Sequence, residues 1–244
     1  MAKVAVVIPA AGAGERFGGQ VKKPFAQIDS RPIFIRSIEL FVNRKDVAQL
    51  LLTVAPDDYE VVREKYAANL MFMGIKLVKG GAERFESVRA SLEYLDPEAD
   101  LVCIHDAVRP CVLDSWIDEV FKRAARTGAA ILAAPLVGTI KRVQGDAIEE
   151  TVAREGLYQA QTPQVFRKDL LLKAYAGMPD DFHPTDDAQV VEQAGHPVAI
   201  VAADHRNLKI TTPADLTLAA AILKGISRRA KPSKPRGPFE EAQW

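Results

Sequence analysis

Only two cysteines occur in this chain of 244 residues, and Cys103 and Cys111 form no C-x-x-C pair. That excludes a disulfide scaffold, a zinc ribbon and a thioredoxin-type redox pair, and it leaves two reduced thiols. Metal-ligand spacing of His and Cys is absent as well. No apolar run reaches the ~18 residues that a membrane-spanning helix needs. The N-terminus enters a strand at once and lacks the layout of a signal peptide. Net charge is missing too: 32 basic residues face 32 acidic ones, so no overall field draws the chain to nucleic acid or to a membrane surface. These absences predict a cytoplasmic protein with neither nucleic acid nor membrane as partner.

What is plentiful is apolar residues, 48% of the chain, enough for the core of one α/β domain. Short apolar runs at 3–9, 47–54, 75–78, 100–105, 129–134, 198–202 and 207–210 read as strands. Amphipathic stretches at 32–43, 57–69, 84–95, 113–126, 168–176, 186–194 and 213–224 read as helices. The alternation predicts a mostly parallel sheet covered on both faces. Thr212-Pro213 and Thr185-Asp186-Asp187 have the look of capped helix starts. A single domain over 1–226 is expected, with no second catalytic domain.

Two stretches break the rhythm. Residues 138–152 contain two short β-prone segments around Gly145-Asp146, a hairpin with too few large apolar residues for a core. It reads as a projecting arm, about 136–158, and such an arm needs a partner. Residues 227–244 alternate Arg228, Arg229, Lys231, Lys234 and Arg236 with Pro232, Pro235, Gly237 and Pro238. They read as a solvated, disordered extension rather than a basic docking tail.

The N-terminal strand breaks at Pro9 into Ala10-Ala11-Gly12-Ala13-Gly14-Glu15-Arg16-Phe17-Gly18-Gly19, followed by Lys22-Lys23-Pro24-Phe25. Small residues allow close backbone approach to a ligand, and Arg16, Lys22 and Lys23 add positive charge just beyond. That suits a nucleoside triphosphate. A dinucleotide fingerprint is excluded because the third glycine falls one residue late, and a P-loop because Gly19 is followed by Gln20-Val21.

Further chemistry sits at other strand ends, where parallel sheets bind ligands. Gly80-Gly81-Ala82-Glu83-Arg84-Phe85-Glu86-Ser87 runs from a strand into a helix, and Ser87 could bond a base edge or a hydroxyl. In His105-Asp106-Ala107-Val108-Arg109-Pro110, Asp106 could face Mg²⁺ or a polyol, Arg109 could meet a phosphate, and His105 reads as a structural neighbour. Arg154 lies just past the arm, and Thr162-Pro163-Gln164 follows. Lys209, alone in an apolar stretch, should be exposed at a sheet edge or aimed at an anion; the anion is preferred.

In this order, Pro9-Ala10-Ala11-Gly12-x-Gly14-x-Arg16, Lys23, Gly80-Gly81-x-x-Arg84-x-x-Ser87-Val88, His105-Asp106-Ala107-x-Arg109-Pro110, Ala133-Ala134-Pro135 with Thr139-Ile140-Lys141-Arg142, Thr162-Pro163-Gln164, Thr185-Asp186 and Asn207-Leu208-Lys209-Ile210-Thr211 resemble the 2-C-methyl-D-erythritol 4-phosphate cytidylyltransferase family over about residues 3–224. The resemblance implies a Rossmann-like three-layer nucleotidyltransferase fold with a projecting β-hairpin arm. It implies transfer of CMP from CTP to methylerythritol phosphate with Mg²⁺, and a homodimer joined through the arm. Arg16 and Lys23 would stabilise the transition state and leaving pyrophosphate, and Arg154 and Lys209 would position the acceptor. Pro9, Ala10, Ala11, Gly12, Gly81, Glu83, Ser87 and Ala107 would surround the nucleotide. Asp106, Arg109, Thr139, Thr162 and Thr185 would line the polyol side, and the metal would ride mainly on the triphosphate, with Asp106 as its candidate protein ligand.

The chain departs from the family pattern at three places. Lys22-Lys23-Pro24 replaces Pro-Lys-Gln, so Lys22 competes with Lys23 for the catalytic position. Glu83 stands for a common Asp, and Ser30 for a usual glycine. Three rivals remain at this stage: a ribitol-5-phosphate cytidylyltransferase, a sugar-1-phosphate nucleotidyltransferase, and a non-catalytic nucleotide-binding protein.

Overall fold

The computed structural model describes residues 2–11 and 22–230. In chain order the elements are β1 (Val4–Pro9), β2 (Gln27–Ile28), β3 (Arg31–Pro32), α1 (Ile33–Glu39), β4 (Val47–Val54), α2 (Tyr59–Lys65), α3 (Ala67–Phe72), β5 (Ile75–Lys79), α4 (Arg84–Leu92), β6 (Leu101–Ile104), α5 (Asp114–Thr127), β7 (Ala129–Pro135), β8 (Ile140–Gln144), β9 (Ala147–Val152), β10 (Tyr158–Arg167), α6 (Lys168–Ala176), α7 (Asp187–Gln193), β11 (Ala199–Ala202) and α8 (Pro213–Ala230). No helix among the described residues is long and apolar enough to cross a membrane.

A seven-stranded sheet runs in the order β11-β7-β10-β6-β1-β4-β5. Its pairs are parallel except where β10 runs antiparallel to β6 and β7. Every residue of β1 is buried, which is why it reads as a continuous apolar run instead of an alternation. Val4, Val6 and Ile8 face one core with Phe34 and Ile38 of α1 and Ile117, Val120 and Phe121 of α5. Val7 faces the other, with Val88 of α4, Leu171 of α6 and Val191 of α7. Helices thus cover both faces, and the architecture is the expected Rossmann-like α/β sandwich. A third, smaller cluster joins α8 to Ile28, Ile33, Val108 and Ile210.

The structure differs from the sequence expectation in four places. Residues 158–167, where no strand is expected, form β10. Its register breaks between Ala160 and Gln164, and that irregularity accommodates Pro163 within a central strand. Residues 207–210 are irregular rather than a strand, tied to the neighbouring loop by the bond from Ile210 N–H to the Val108 carbonyl (2.9 Å). The expected helix over 57–69 is divided at Tyr66 into α2 and α3. The last helix continues to Ala230, past the expected end at 224 and into the stretch read as tail.

The arm forms as expected. Strands β8 and β9 make their own two-stranded sheet, closed at Gly145-Asp146 with Gly145 at φ +59°, a conformation that favours glycine. Nearly all of its residues are exposed, among them Val143 and Ile148, at 56% and 63%.

Candidate active site

The carboxyl ends of β1, β5 and β6 converge on one cleft. After β1, Ala10 N–H bonds the Thr53 carbonyl (2.7 Å), and after β6, His105 N–H bonds the Val7 carbonyl (2.9 Å). These bonds hold Pro9-Ala10-Ala11 beside Asp106-Ala107. One half of the cleft is lined by Pro9, Ala10, Ala11, Lys23, Ala107 and, at its edge, Lys209. The other half is lined by Arg109, Gln161, Thr162, Gln164, Thr185 and Asp186. Arg84, Asp106 and Lys209 belong to both halves and form the junction between them.

Asp106 is the hub of that junction. Its Oδ1 accepts from Arg84 Nε at 3.0 Å, and its Oδ2 meets Arg109 Nε at 3.3 Å and Lys209 Nζ at 3.0 Å. Burial by itself would push this carboxyl up. Arg84, Lys209 and Arg109 outweigh it and hold the group well below the usual carboxylate range. Arg109 Nη1 also donates to the Asn207 carbonyl (2.7 Å), so the guanidinium braces the 207–209 segment against the 106–109 loop. Burial is likewise the largest influence on Arg109, lowering its pKa against the pull of Asp106.

His105 is fully buried, and burial pulls its pKa down to about 4. In its neutral form Nε2–H donates to the Arg109 carbonyl (3.0 Å), and Nδ1 accepts from the Thr162 hydroxyl (3.1 Å). The same hydroxyl oxygen accepts from Asp106 N–H (3.0 Å). His105 therefore supports the loop that carries Asp106, as the sequence reading expects of a structural neighbour.

Lys22 and Lys23 diverge. Lys23 opens a short 3₁₀ turn with Pro24 and lines the cleft. The Lys22 ammonium pairs with Asp58 at 2.7 Å and lines neither half. Gly12 and Arg16 lie outside the described residues.

Gly81, Glu83 and Ser87 sit beside the nucleotide half without lining it. Ser87 is buried, and its hydroxyl accepts from Gly81 N–H (3.2 Å) and donates to the Glu83 carbonyl (3.1 Å). It fixes the turn backbone rather than presenting a free hydroxyl. Glu83 is exposed at the start of α4, where its N–H bonds the Glu86 carboxylate (2.9 Å). A Cβ at Gly80 would fall 2.4 Å from Ser87 Oγ and 2.9 Å from Thr53 Cγ2, so the turn can pack this closely only with glycine.

Two candidates are not brought to the cleft within one chain. Thr139 is exposed at the base of the arm, and Arg154 is exposed with its guanidinium donating to the Val137 carbonyl. Conversely, several polar residues given no role from sequence turn out to organise the site. Gln164 Oε1 accepts from Asp187 and Ala188 N–H (3.0 Å each), and its Nε2 donates to Asp186 (2.8 Å). Asn207 donates to Gln161 Oε1 and to the Thr162 carbonyl (2.9 Å each). Arg84 bridges Asp106 and the fully buried Asp187. The available signal was polar residues in the middle of otherwise apolar elements, with no spacing rule to pair them.

A cleft with small residues on one wall, lysines and arginines at its centre and hydroxyls on the other wall can hold a nucleotide and a second, polyhydroxylated anion side by side. Among the described residues no group of three or more His, Cys, Asp or Glu could cage a metal ion.

Comparison with known proteins agrees with this geometry. The family model for IspD, 2-C-methyl-D-erythritol 4-phosphate cytidylyltransferase, matches residues 4–225. The chain is similar to the protein of that name from Rhodopirellula baltica, with 48% identity over 91% of this chain and 95% of the relative. It is also similar to the one from Solibacter usitatus, with 38% identity over 93% and 98%. Among solved structures, the 2-C-methyl-D-erythritol 4-phosphate cytidylyltransferase of Thermus thermophilus superimposes with a TM-score of 0.76 at 33% identity, covering 91% of this chain and 99% of that one. With the sheet order, the cleft and nearly the full length in agreement, the chain belongs to the 2-C-methyl-D-erythritol 4-phosphate cytidylyltransferase family.

Proposed function

We propose that the two halves of the cleft hold the two substrates of the family's reaction and that the cations at their junction carry its chemistry. The chain is a cytidylyltransferase. It transfers CMP from CTP to 2-C-methyl-D-erythritol 4-phosphate, releasing pyrophosphate and giving 4-diphosphocytidyl-2-C-methyl-D-erythritol for non-mevalonate isoprenoid synthesis. The observation that carries the site assignment is the shared membership of Arg84, Asp106 and Lys209 in both halves, because a reaction between two bound anions needs its fixed charge where they meet.

The acceptor's phosphate oxygen is already anionic, so the attack on the α-phosphorus of CTP requires no general base. What it requires is proximity and compensation of charge in a crowded transition state. In this reading Lys23 and Arg16 face the triphosphate, and Pro9, Ala10, Ala11, Gly12 and Ala107 pack against the nucleoside. Ser87 acts indirectly, by holding the Gly80-Gly81 backbone, with Glu83 beside it. Lys209, half-exposed and tethered to Asp106, turns to the acceptor phosphate, while Asp106, Thr162 and Thr185 bond its hydroxyls and Arg109 holds the Asp106 loop in place.

A divalent cation fits this donor set only as a companion of CTP. Asp106 has its charge compensated three times over, and no protein cage stands near it among the described residues. Mg²⁺ accordingly enters as the metal–nucleotide substrate, with Asp106 as the nearby carboxylate.

Thr139 and Arg154 are assigned to the cleft of a second copy, reached by exchange of arms in a homodimer. The support is their distance from their own cleft and the exposed Val143 and Ile148 on an arm with no core of its own. A reaction that consumes CTP belongs in the cytoplasm, where that nucleotide is made.

The test is pyrophosphate release from CTP in the purified protein. Release is expected only with 2-C-methyl-D-erythritol 4-phosphate and a divalent cation both present, and ribitol 5-phosphate is expected to support slower turnover. Binding of CTP with no release under any of these conditions would sink the reading.

A further inference from the structure

Arg84 is held from two sides. On the cleft side its Nε bonds Asp106 Oδ1 (3.0 Å), and on the far side its Nη1 pairs with Asp187 Oδ2 at 2.8 Å. Its Nη2 is buried and has no hydrogen-bond partner among the described residues, so the two carboxylates alone set the plane of the guanidinium. Asp187 is completely buried behind the cleft. A buried carboxylate is costly unless paired and hydrogen-bonded, and here the second oxygen accepts from the Tyr175 hydroxyl (2.7 Å). The backbone at Asp187 is fixed independently by Gln164 Oε1. The adjacent Thr185 and Asp186 line the acceptor half of the cleft.

We propose that Asp187, braced by Tyr175, is a positioning residue for the acceptor: it anchors Arg84, which in turn holds Asp106 and the Thr185–Asp186 wall in register across the cleft. The chain Tyr175–Asp187–Arg84–Asp106–Lys209 crosses from the core packed under α6 and α7 to the half-exposed lysine at the junction. Three cations (Arg84, Arg109, Lys209) and two carboxylates (Asp106, Asp187) leave the cluster with one net positive charge, suited to an anionic acceptor. Without Asp187 the guanidinium has Asp106 as its sole counter-ion and is free to turn toward it, competing with Lys209 for that carboxylate. Asp187 touches neither substrate, so its effect passes through Arg84.

The inference rests on the assignment of the Asp106–Thr185 side to the acceptor, and its test separates the two. Steady-state kinetics are measured for Asp187→Asn, Tyr175→Phe, their double variant and Asp106→Asn. Asp187→Asn keeps the shape and the Tyr175 bond but removes the charge. It is expected to raise the acceptor KM about tenfold, the scale of one charge-assisted hydrogen bond, with the CTP KM changed less than about twofold. Tyr175→Phe is expected to move the acceptor KM in the same direction by less, and the double variant to be no worse than Asp187→Asn, because the hydroxyl acts through Asp187. Should Asp187→Asn fail to fold, Tyr175→Phe, which loses one hydroxyl, carries the same KM comparison. An equal loss on both substrates, additive effects, or an unchanged acceptor KM while Asp106→Asn raises it would each overturn the positioning role. An acceptor KM that Asp106→Asn also leaves unchanged would overturn the assignment of the cleft, and the proposal with it.

Discussion

Lys22 and Lys23 are neighbours in the chain and strangers in space, and their separation turns an ambiguity of sequence into a prediction. Lys22 is occupied by Asp58 on the surface side, whereas Lys23 lines the cleft. Lys23→Ala is expected to lower kcat by about 10²–10³-fold, the usual scale for one transition-state donor. Lys22→Ala breaks an exposed ion pair worth little and is expected to leave turnover within about twofold; the reverse pattern in the same assay would exchange their roles. A second residue-scale expectation concerns His105. Its folded pKa of about 4 lies below the ordinary 6.5, so the unfolded chain binds the extra proton first as pH falls. Stability is full above about pH 6.5 and is lost progressively toward pH 4, by on the order of 3 kcal/mol. Asp106, whose pKa is depressed, adds stability that is lost only below its ordinary value of 3.8, outside that window. Urea midpoints measured from pH 7.5 to 4 should decline in the native protein and decline less in His105→Gln; an equally steep decline in the variant would remove His105 as the cause.

At the scale of elements, the turn between β5 and α4 depends on glycine for room. Gly80→Ala would drive a methyl into Ser87 and Thr53, with an expected destabilisation of about 1–3 kcal/mol and a raised CTP KM as the Gly81 backbone shifts. Denaturant unfolding and CTP titration check both, and a variant with native stability and KM would show that the turn absorbs the methyl. Legibility from sequence follows the same physics. Strands β1, β4, β5, β6 and β7 are apolar runs buried on both faces, and α5 buries Ile117, Val120, Phe121 and Ala124 at helical spacing, so their signals are local and strong. β10 was illegible because its central residues, Gln161, Thr162 and Gln164, are polar yet buried, paid for by partners such as Asp106, Asn207 and Asp187 that are distant in sequence. The 207–210 segment misled for the opposite reason: its apolar residues serve the small core around Ile210 and not the sheet. Likewise, candidate residues could be named from motifs, but Arg84 and Asp187 acquire meaning only from a bridge spanning separate elements.

At the scale of the whole molecule, each cleft as one chain builds it has Lys23 and Lys209 but not Arg154 or Thr139. If arms are exchanged, two different defects can complement. Arg154→Ala should keep CTP binding and lose acceptor use, and Lys23→Ala should lose turnover. Co-expressed with separate tags and purified as mixed dimers, the pair should regain a substantial fraction of native activity, since one cleft of the two then has both residues intact. Verified mixed dimers with no recovery would count against an exchanged arm.

The antiparallel course of β10 has a consequence for how this protein can be recombined. The strand starts at the foot of the arm, where Tyr158 pairs with Pro135, and runs without interruption to Thr162 and Gln164 in the acceptor half of the cleft. The arm and that wall are therefore one mechanical piece, and evolution or a designer must trade them together. A chimera cut at Tyr158 would mate a foreign arm to a native wall through a mismatched foot. One that exchanges β7 through β10, Ala129–Arg167, as a single cassette carries the arm, its foot and the cleft wall in their original alignment.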